Sequence, residues 1–188
     1  MKMSLHQGNL FAVTLLFCIF CGCQGMLPQE RIPDISGYKK AVNLNTASAL
    51  VNIANADFSQ GSYGWTMGPG YKIDPNGGMN GGSGLCYERN EPKPYQLCST
   101  KLKVEAGKTY KIGAWVRGES LSSNKPFDCI AIELYKDGEY VTGSYIRPRF
   151  LLGKDWAYVE SEYISDLSAD ARLSLYMYRG VTGKIWFD

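Results

Sequence analysis

Six residues in the strand-like segments of this sequence carry groups better suited to holding a ligand than to filling a core: Trp115, Arg117, Glu133, Tyr135, Tyr176 and Tyr178. The stretch Gly107–Gly118, Gly-Lys-Thr-Tyr-Lys-Ile-Gly-Ala-Trp-Val-Arg-Gly, alternates as a β-strand does. Tyr110, Ile112, Ala114 and Val116 fall on one face, and Lys111, Gly113, Trp115 and Arg117 on the other. A tryptophan and an arginine on the non-core face, behind a glycine that leaves room for approach, are unusual for a face meant only for water. The same phase places Ile130, Ile132 and Leu134 inward, with Ala131, Glu133 and Tyr135 outward. It places Leu173, Leu175 and Met177 inward, with Ser174, Tyr176 and Tyr178 outward. All six residues are therefore expected to line one concave sheet. Aromatic ring faces would supply flat apolar surface there, with Arg117 donating hydrogen bonds, Glu133 accepting them and the tyrosine hydroxyls doing both. The competing reading is that the rings are packing residues, with Trp115 under a loop. A slip of one residue exchanges the two faces, so the set stands or falls together.

Catalytic chemistry has little to draw on. The only histidine, His6, lies in the N-terminal 25 residues, which read as an export signal. Once those residues are removed, Ser-His-Asp and Cys-His mechanisms and imidazole metal ligation are excluded. A carboxylate pair remains, for which Glu133 with Glu160 or Glu162 can be considered, although nothing in the spacing sets the separation of about 5–9.5 Å that glycoside hydrolysis needs. The glycine-rich run Asp74–Gly84 lacks the Gly-Lys-Ser/Thr of a phosphate loop. Gly107-Lys-Thr109 ends like one, but the position five residues before Gly107 is Leu102, and the segment after Thr109 alternates as a strand. A formal charge of +2 over 188 residues points to no polyanion, and nucleic acid is disfavoured as a partner.

Three segments organise the chain. Residues 1–25 combine Lys2, an apolar run from Leu10 to Cys21 and small residues around a cleavage site, which predicts export to the cell exterior or surface. The run is too short for a comfortable membrane span. Gly22-Cys23 also resembles the end of a bacterial lipobox, which would make Cys23 an outer-membrane lipid anchor, although Phe20 and Cys21 match that pattern poorly. Residues 26–49, with Pro28 and Pro33 and no sustained period, read as a linker. From residue 50 onward the chain reads as strands: a first at Leu50, Val51 and Ile53, then others at about 84–88, 95–104, 109–117, 128–135, 140–148, 156–164, 171–178 and 183–187. Turns such as Lys136-Asp-Gly138 separate them, and no helical period competes. This pattern predicts an all-β fold, an antiparallel β-sandwich of jelly-roll type, over residues 50–188. Three of the six cysteines, Cys18, Cys21 and Cys23, fall in the signal region. Of the others, Cys86 and Cys98 could pair across a hairpin, leaving Cys129 a buried thiol, or all three could be small core fillers.

Several motifs, taken in order, resemble the carbohydrate-binding modules of families four and nine, the galactose-binding-like jelly rolls attached to many secreted glycoside hydrolases. They are Asn55-Ala-Asp-Phe58 with Gly64-Trp65, Gly82-Ser-Gly-Leu85, Val104-Glu-Ala-Gly-Lys-Thr-Tyr110 with Ala114-Trp-Val-Arg117, Asp155-Trp156, Ala171-Arg-Leu-Ser-Leu175 and Trp186-Phe-Asp188. The resemblance covers about residues 50–188. It implies a non-catalytic module that binds polysaccharide or oligosaccharide, with a catalytic domain in a longer parent protein, an expectation that the abrupt stop after the last strand fits. Sugars suit the six-residue face because their axial hydrogens lie flat on aromatic rings while their hydroxyls need donors and acceptors at the ring edges. The resemblance also implies a structural calcium using Asp188 and main-chain oxygens near Asp57; the departure from the family pattern is Ser59, where a glutamate is usual. The alternatives are an adhesive or structural surface sandwich with no sugar site, and a glycoside hydrolase in its own right.

Overall fold

The computed structural model describes residue 51 and residues 53–188. The export signal of residues 1–25, Cys23 within it, and the linker of residues 26–49 lie outside the described residues. Every regular element described is a strand: β1 Thr66–Met67, β2 Tyr71–Asp74, β3 Gly84–Arg89, β4 Leu97–Val104, β5 Thr109–Glu119, β6 Ile130–Lys136, β7 Glu139–Ile146, β8 Ala157–Ile164, β9 Ala169–Tyr176 and β10 Gly183–Phe187. They form two antiparallel five-stranded sheets, in the orders β1-β4-β9-β6-β7 and β2-β3-β10-β5-β8. This is the expected sandwich; apart from the consecutive pairs β2-β3 and β6-β7, neighbouring strands come from distant parts of the chain.

The two-residue alternation read from the sequence builds the core. Tyr110, Ile112 and Val116 of β5 meet Ile130, Ile132 and Leu134 of β6 and Leu175 of β9 in one buried cluster, which also holds Leu85, Ile185 and Phe187. The sheets are tied by a polar contact as well, since the Tyr71 hydroxyl from β2 lies 2.9 Å from the Gln96 carbonyl and 3.0 Å from that of Leu175 in the opposite sheet. The hairpin between β6 and β7 turns at Asp137 and Gly138, with φ of 53° and 86°. Two consecutive positive φ values are what a tight two-residue hairpin needs, and Asp-Gly supplies them cheaply. Next to this turn the ladder slips: Leu134 pairs with Thr142 but Tyr135 with Tyr140, leaving Val141 as an extra residue in β7.

The structure corrects two expectations. Val51 and Ile53 belong to no strand; the first described strand is the two-residue β1, preceded by tight turns that Asn55 ties with hydrogen bonds to Gly61, Tyr63 and Gln60. The short β1 and β2, set among glycines and prolines, have too few residues to show a period. Cys86 and Cys98 do not pair: β3 and β4 are consecutive in the chain but belong to different sheets, and both thiols are free and buried, as is Cys129. Cys98 and Cys129 sit in the core, whereas Cys86 stands in register with Lys72 and Trp186 on the outer side of its sheet.

Burial pushes the Cys98 and Cys129 thiols up to about 12 and raises that of Cys86, so almost no thiolate forms near neutral pH. We predict that a thiol-specific chromogenic reagent reacts slowly with these three cysteines in the folded protein and fully once it is unfolded in urea, and that reductant leaves the melting temperature unchanged. Leu134→Ala, which removes a fully buried side chain between the sheets, is expected to cost about 2–5 kcal/mol in urea unfolding.

Candidate functional site

The six outward residues do not share a sheet. Trp115 and Arg117 stand on β5, whereas Glu133 and Tyr135 stand on β6, Tyr176 ends β9 and Tyr178 follows it. The outer faces of a sandwich look in opposite directions, so the expected single concave sheet is corrected to two separate surfaces. Alternation reports which side of its own sheet a residue occupies, and it carries no information about which sheet that is.

The surface on β1-β4-β9-β6-β7 is the richer one. Ala131 lies between Ser174 and Tyr145 in register, and Glu133 between Arg172 and Gly143. Arg172 donates to Glu133 Oε2 through Nε at 3.0 Å and Nη2 at 2.6 Å, and the Tyr135 hydroxyl reaches the same oxygen at 3.3 Å. The Arg172 guanidinium also lies 5.0 Å from the Tyr135 ring centroid. Tyr140 meets that ring edge-on at 6.1 Å. A depression opens on either side of the Glu133–Arg172 pair. One, of about 340 Å³, is lined by Tyr95, Leu97, Asp128, Ala131, Tyr145, Ser174 and Tyr176 along with Glu133. The other, of about 540 Å³, includes Lys101, Lys103, Tyr135, Asp170 and Arg172. Both open on this outer face and follow β9, from Tyr176 and Ser174 in the first to Arg172 and Asp170 in the second, so that the groove they outline runs along the strands.

The wall of the first depression is built by a loop. Tyr95, between β3 and β4, meets Tyr176 edge-on at 5.6 Å and Tyr178 at 5.8 Å. The buried Arg89 guanidinium holds this wall by donating to the Lys93, Tyr178 and Val181 carbonyls. Tyr176 is consequently covered, and Tyr178 packs against the core; the rings presented to solvent are those of Tyr95, Tyr140 and Tyr145. Burial raises the Tyr176 phenol far above its usual range, burial and then Glu133 raise Tyr135, and the Tyr140 hydrogen bond followed by burial lifts Tyr145 to about 12. These hydroxyls are neutral at physiological pH and able both to donate and to accept. Asp128, at the same end, is gripped by Arg147 through Nε at 2.9 Å and Nη2 at 3.2 Å. Ser174 is fully buried at the floor, and its Oγ has no hydrogen-bond partner among the described residues.

On the opposite face, Arg117 is taken up in a stack, with its guanidinium 3.9 Å from the Trp186 centroid and 5.3 Å from that of Trp156. Trp115 lies beside Tyr158, with ring centroids 5.3 Å apart. Glu160 pairs with Lys111 at 2.8 Å, and both Glu160 and Glu162 point outward from β8. The sandwich, with sheets about 10 Å apart, therefore stands between them and Glu133, and a glycosidase-type carboxylate pair of Glu133 with either is not formed. The two expected calcium ligands serve separate local contacts: Asp57 Oδ1 accepts from the Ser59 amide and hydroxyl, and Asp188 Oδ2 from the Met79 amide at 2.6 Å. Among the described residues no three Asp, Glu, His or Cys side chains gather where they could hold a metal ion.

Sequence reasoning missed Tyr95, Tyr140, Tyr145 and Arg172. Arg172 was legible, since it continues the outward phase of Ser174 and Tyr176 by two residues. Tyr145 required the pairing of β7 with β6, Tyr140 the register slip, and Tyr95 a loop position that no period marks.

A family model described as a carbohydrate binding domain matches residues 51–184. No curated protein matches the chain. Among solved structures, the CBM22-1–GH10 modules of the Clostridium thermocellum endo-1,4-β-D-xylanase 10B in complex with xylohexaose align with a TM-score of 0.54 at 16% identity, over 70% of this chain and 26% of that one. A family 16 carbohydrate binding module aligns with a TM-score of 0.53 at 19% identity, over 72% of this chain and 94% of that one. The CBM22-1 xylan-binding domain of Paenibacillus barcinonensis Xyn10C aligns with a TM-score of 0.52 at 15% identity, over 70% and 86%. These structures share the sandwich fold, and the chain spans about a quarter of the xylanase modules. With the family model covering most of its length, this chain belongs to the carbohydrate binding domain family of the four and nine type.

Proposed function

We propose that the chain is a non-catalytic polysaccharide-binding module and that the groove on β1-β4-β9-β6-β7 is where the glycan lies. The observation that carries this reading is the combination, on one face, of solvent-facing tyrosine rings with a fixed polar edge: Tyr95, Tyr140 and Tyr145 around the Glu133–Arg172 pair. Rings accept the apolar faces of pyranoses, and the fixed carboxylate and guanidinium offer an acceptor and donors to the sugar hydroxyls. Of the residues expected from sequence, Glu133, Tyr135 and Tyr176 belong to this site, and Tyr178 supports its wall. A groove open to solvent implies dissociation constants on the order of micromolar to millimolar.

Xylan is the first ligand to test, since two of the similar folds are described with xylan or xylohexaose. The N-terminal segment supports export, with Cys23 as a lipid anchor if the lipobox is used, and the family supports a glycoside hydrolase elsewhere in a parent protein. Calcium is proposed as a structural ion held by the Asp188 side chain and main-chain oxygens near Asp57.

Affinity electrophoresis in soluble xylan, mixed-linkage β-glucan and β-mannan checks the groove. Tyr145→Ala removes a half-exposed ring, so its fold is expected to persist while retention falls about tenfold, close to the loss of 1.4 kcal/mol; unchanged retention removes the groove reading. Glu133→Gln is expected to weaken binding without affecting any hydrolysis, and turnover that Glu133→Gln abolishes would make the chain an enzyme. A chelator is expected to lower the melting temperature by several degrees, because a ligand bound only to the folded state stabilises it. An unchanged midpoint excludes the ion.

A further inference from the structure

The outer face of β2-β3-β10-β5-β8 carries three of the four tryptophans, Trp115, Trp156 and Trp186, although this side contributes nothing to the groove. Trp156 and Trp186 are committed to the Arg117 stack. Trp115 and Tyr158 are not: they are 36% and 45% exposed, lie opposite each other on β5 and β8, and tilt at 54° with centroids 5.3 Å apart. Gly113 makes this arrangement possible, because a Cβ there would fall 2.9 Å from the Tyr158 hydroxyl. The phenol thus lies back over bare main chain beside the tryptophan. Next to it, the Lys111–Glu160 ion pair exposes an ammonium and a carboxylate at the edge of the rings.

We infer that Trp115 and Tyr158 form a second glycan-binding platform on the face opposite the groove, making the chain bivalent. Exposed rings bordered by a donor and an acceptor are the groups a pyranose chain uses. A protein partner fits poorly, since a stable interface covers about 800 Å² per partner and this patch is two rings flanked by charges. The rings tilt instead of lying coplanar, so the surface suits a single twisted polysaccharide chain more than the flat face of a crystalline one. The inference rests on the polysaccharide-binding reading but uses none of the groove residues.

Two readouts test it on the full chain: retention in soluble xylan and β-glucan gels, and the viscosity of those polysaccharides with protein added. A molecule gripping two chains on opposite faces cross-links them, so the native protein is expected to raise viscosity. Trp115→Ala/Tyr158→Ala and Tyr145→Ala should each abolish the rise while each retains part of the binding. Tyr158→Ala alone serves if the double variant unfolds. Native viscosity and retention in the platform variants overturn the inference, and Tyr145→Ala then shows whether the groove still binds. Binding lost in the platform variants but kept in Tyr145→Ala moves the principal site to this face, and the groove reading falls instead. No retention of the native protein in either gel overturns both.

Discussion

The groove depends on one buried charge. Arg89 is only 4% exposed and has no carboxylate partner among the described residues, yet its guanidinium is satisfied by three main-chain carbonyls from two loops. A charged group left without hydrogen bonds in such a place would cost several kcal/mol. The loops therefore have little freedom: the segment carrying Tyr95 and the segment carrying Tyr178 and Val181 must both present carbonyls to the same cation. Their side chains then meet as edge-to-face pairs over Tyr176. A site wall made of loop residues is thereby given the fixity of a strand, which holds its rings ready for a ligand at little ordering cost.

The two outer faces illustrate how similar residues acquire different roles. Arg172 and Arg117 each stand beside aromatic rings, but Arg172 has Glu133 across the ladder while Arg117 lies between Trp186 and Trp156, its Nε buried and without a hydrogen-bond partner among the described residues. The first arrangement leaves a fixed polar pair between two depressions. The second closes the surface, with one cation filling the gap between two indoles, while the neighbouring Trp115 and Tyr158 remain open to solvent.

Legibility in the sequence tracks the range of the physics involved. The inward positions of β5, β6 and β9 were readable because alternation is a local property of a strand, and those residues do form the core. The family was readable because its short motifs keep their order along the chain. The grouping of Trp115 with Glu133, the hairpin expected at Cys86 and Cys98, and the roles of Tyr95 and Tyr145 all depended on which strands pair. In this topology β4 leaves β3 for the other sheet, and β5 finds its neighbours in β8 and β10. Such crossovers are decided by long-range contacts, and no residue near Cys86 or Trp115 records them.

The extra residue at Val141 has a further effect. A regular ladder would set Tyr135 against Val141 and turn Tyr140 toward the opposite side of the sheet; the slip instead brings the two tyrosines together. β7 is also the terminal strand of its sheet, where unpaired amides invite other chains to add on. A bulge bends and twists such an edge out of the geometry that strand addition requires. The same irregularity that aims a ring at the groove thus protects the protein from self-assembly, and a deletion that tidied the hairpin would cost solubility as well as a tyrosine's orientation.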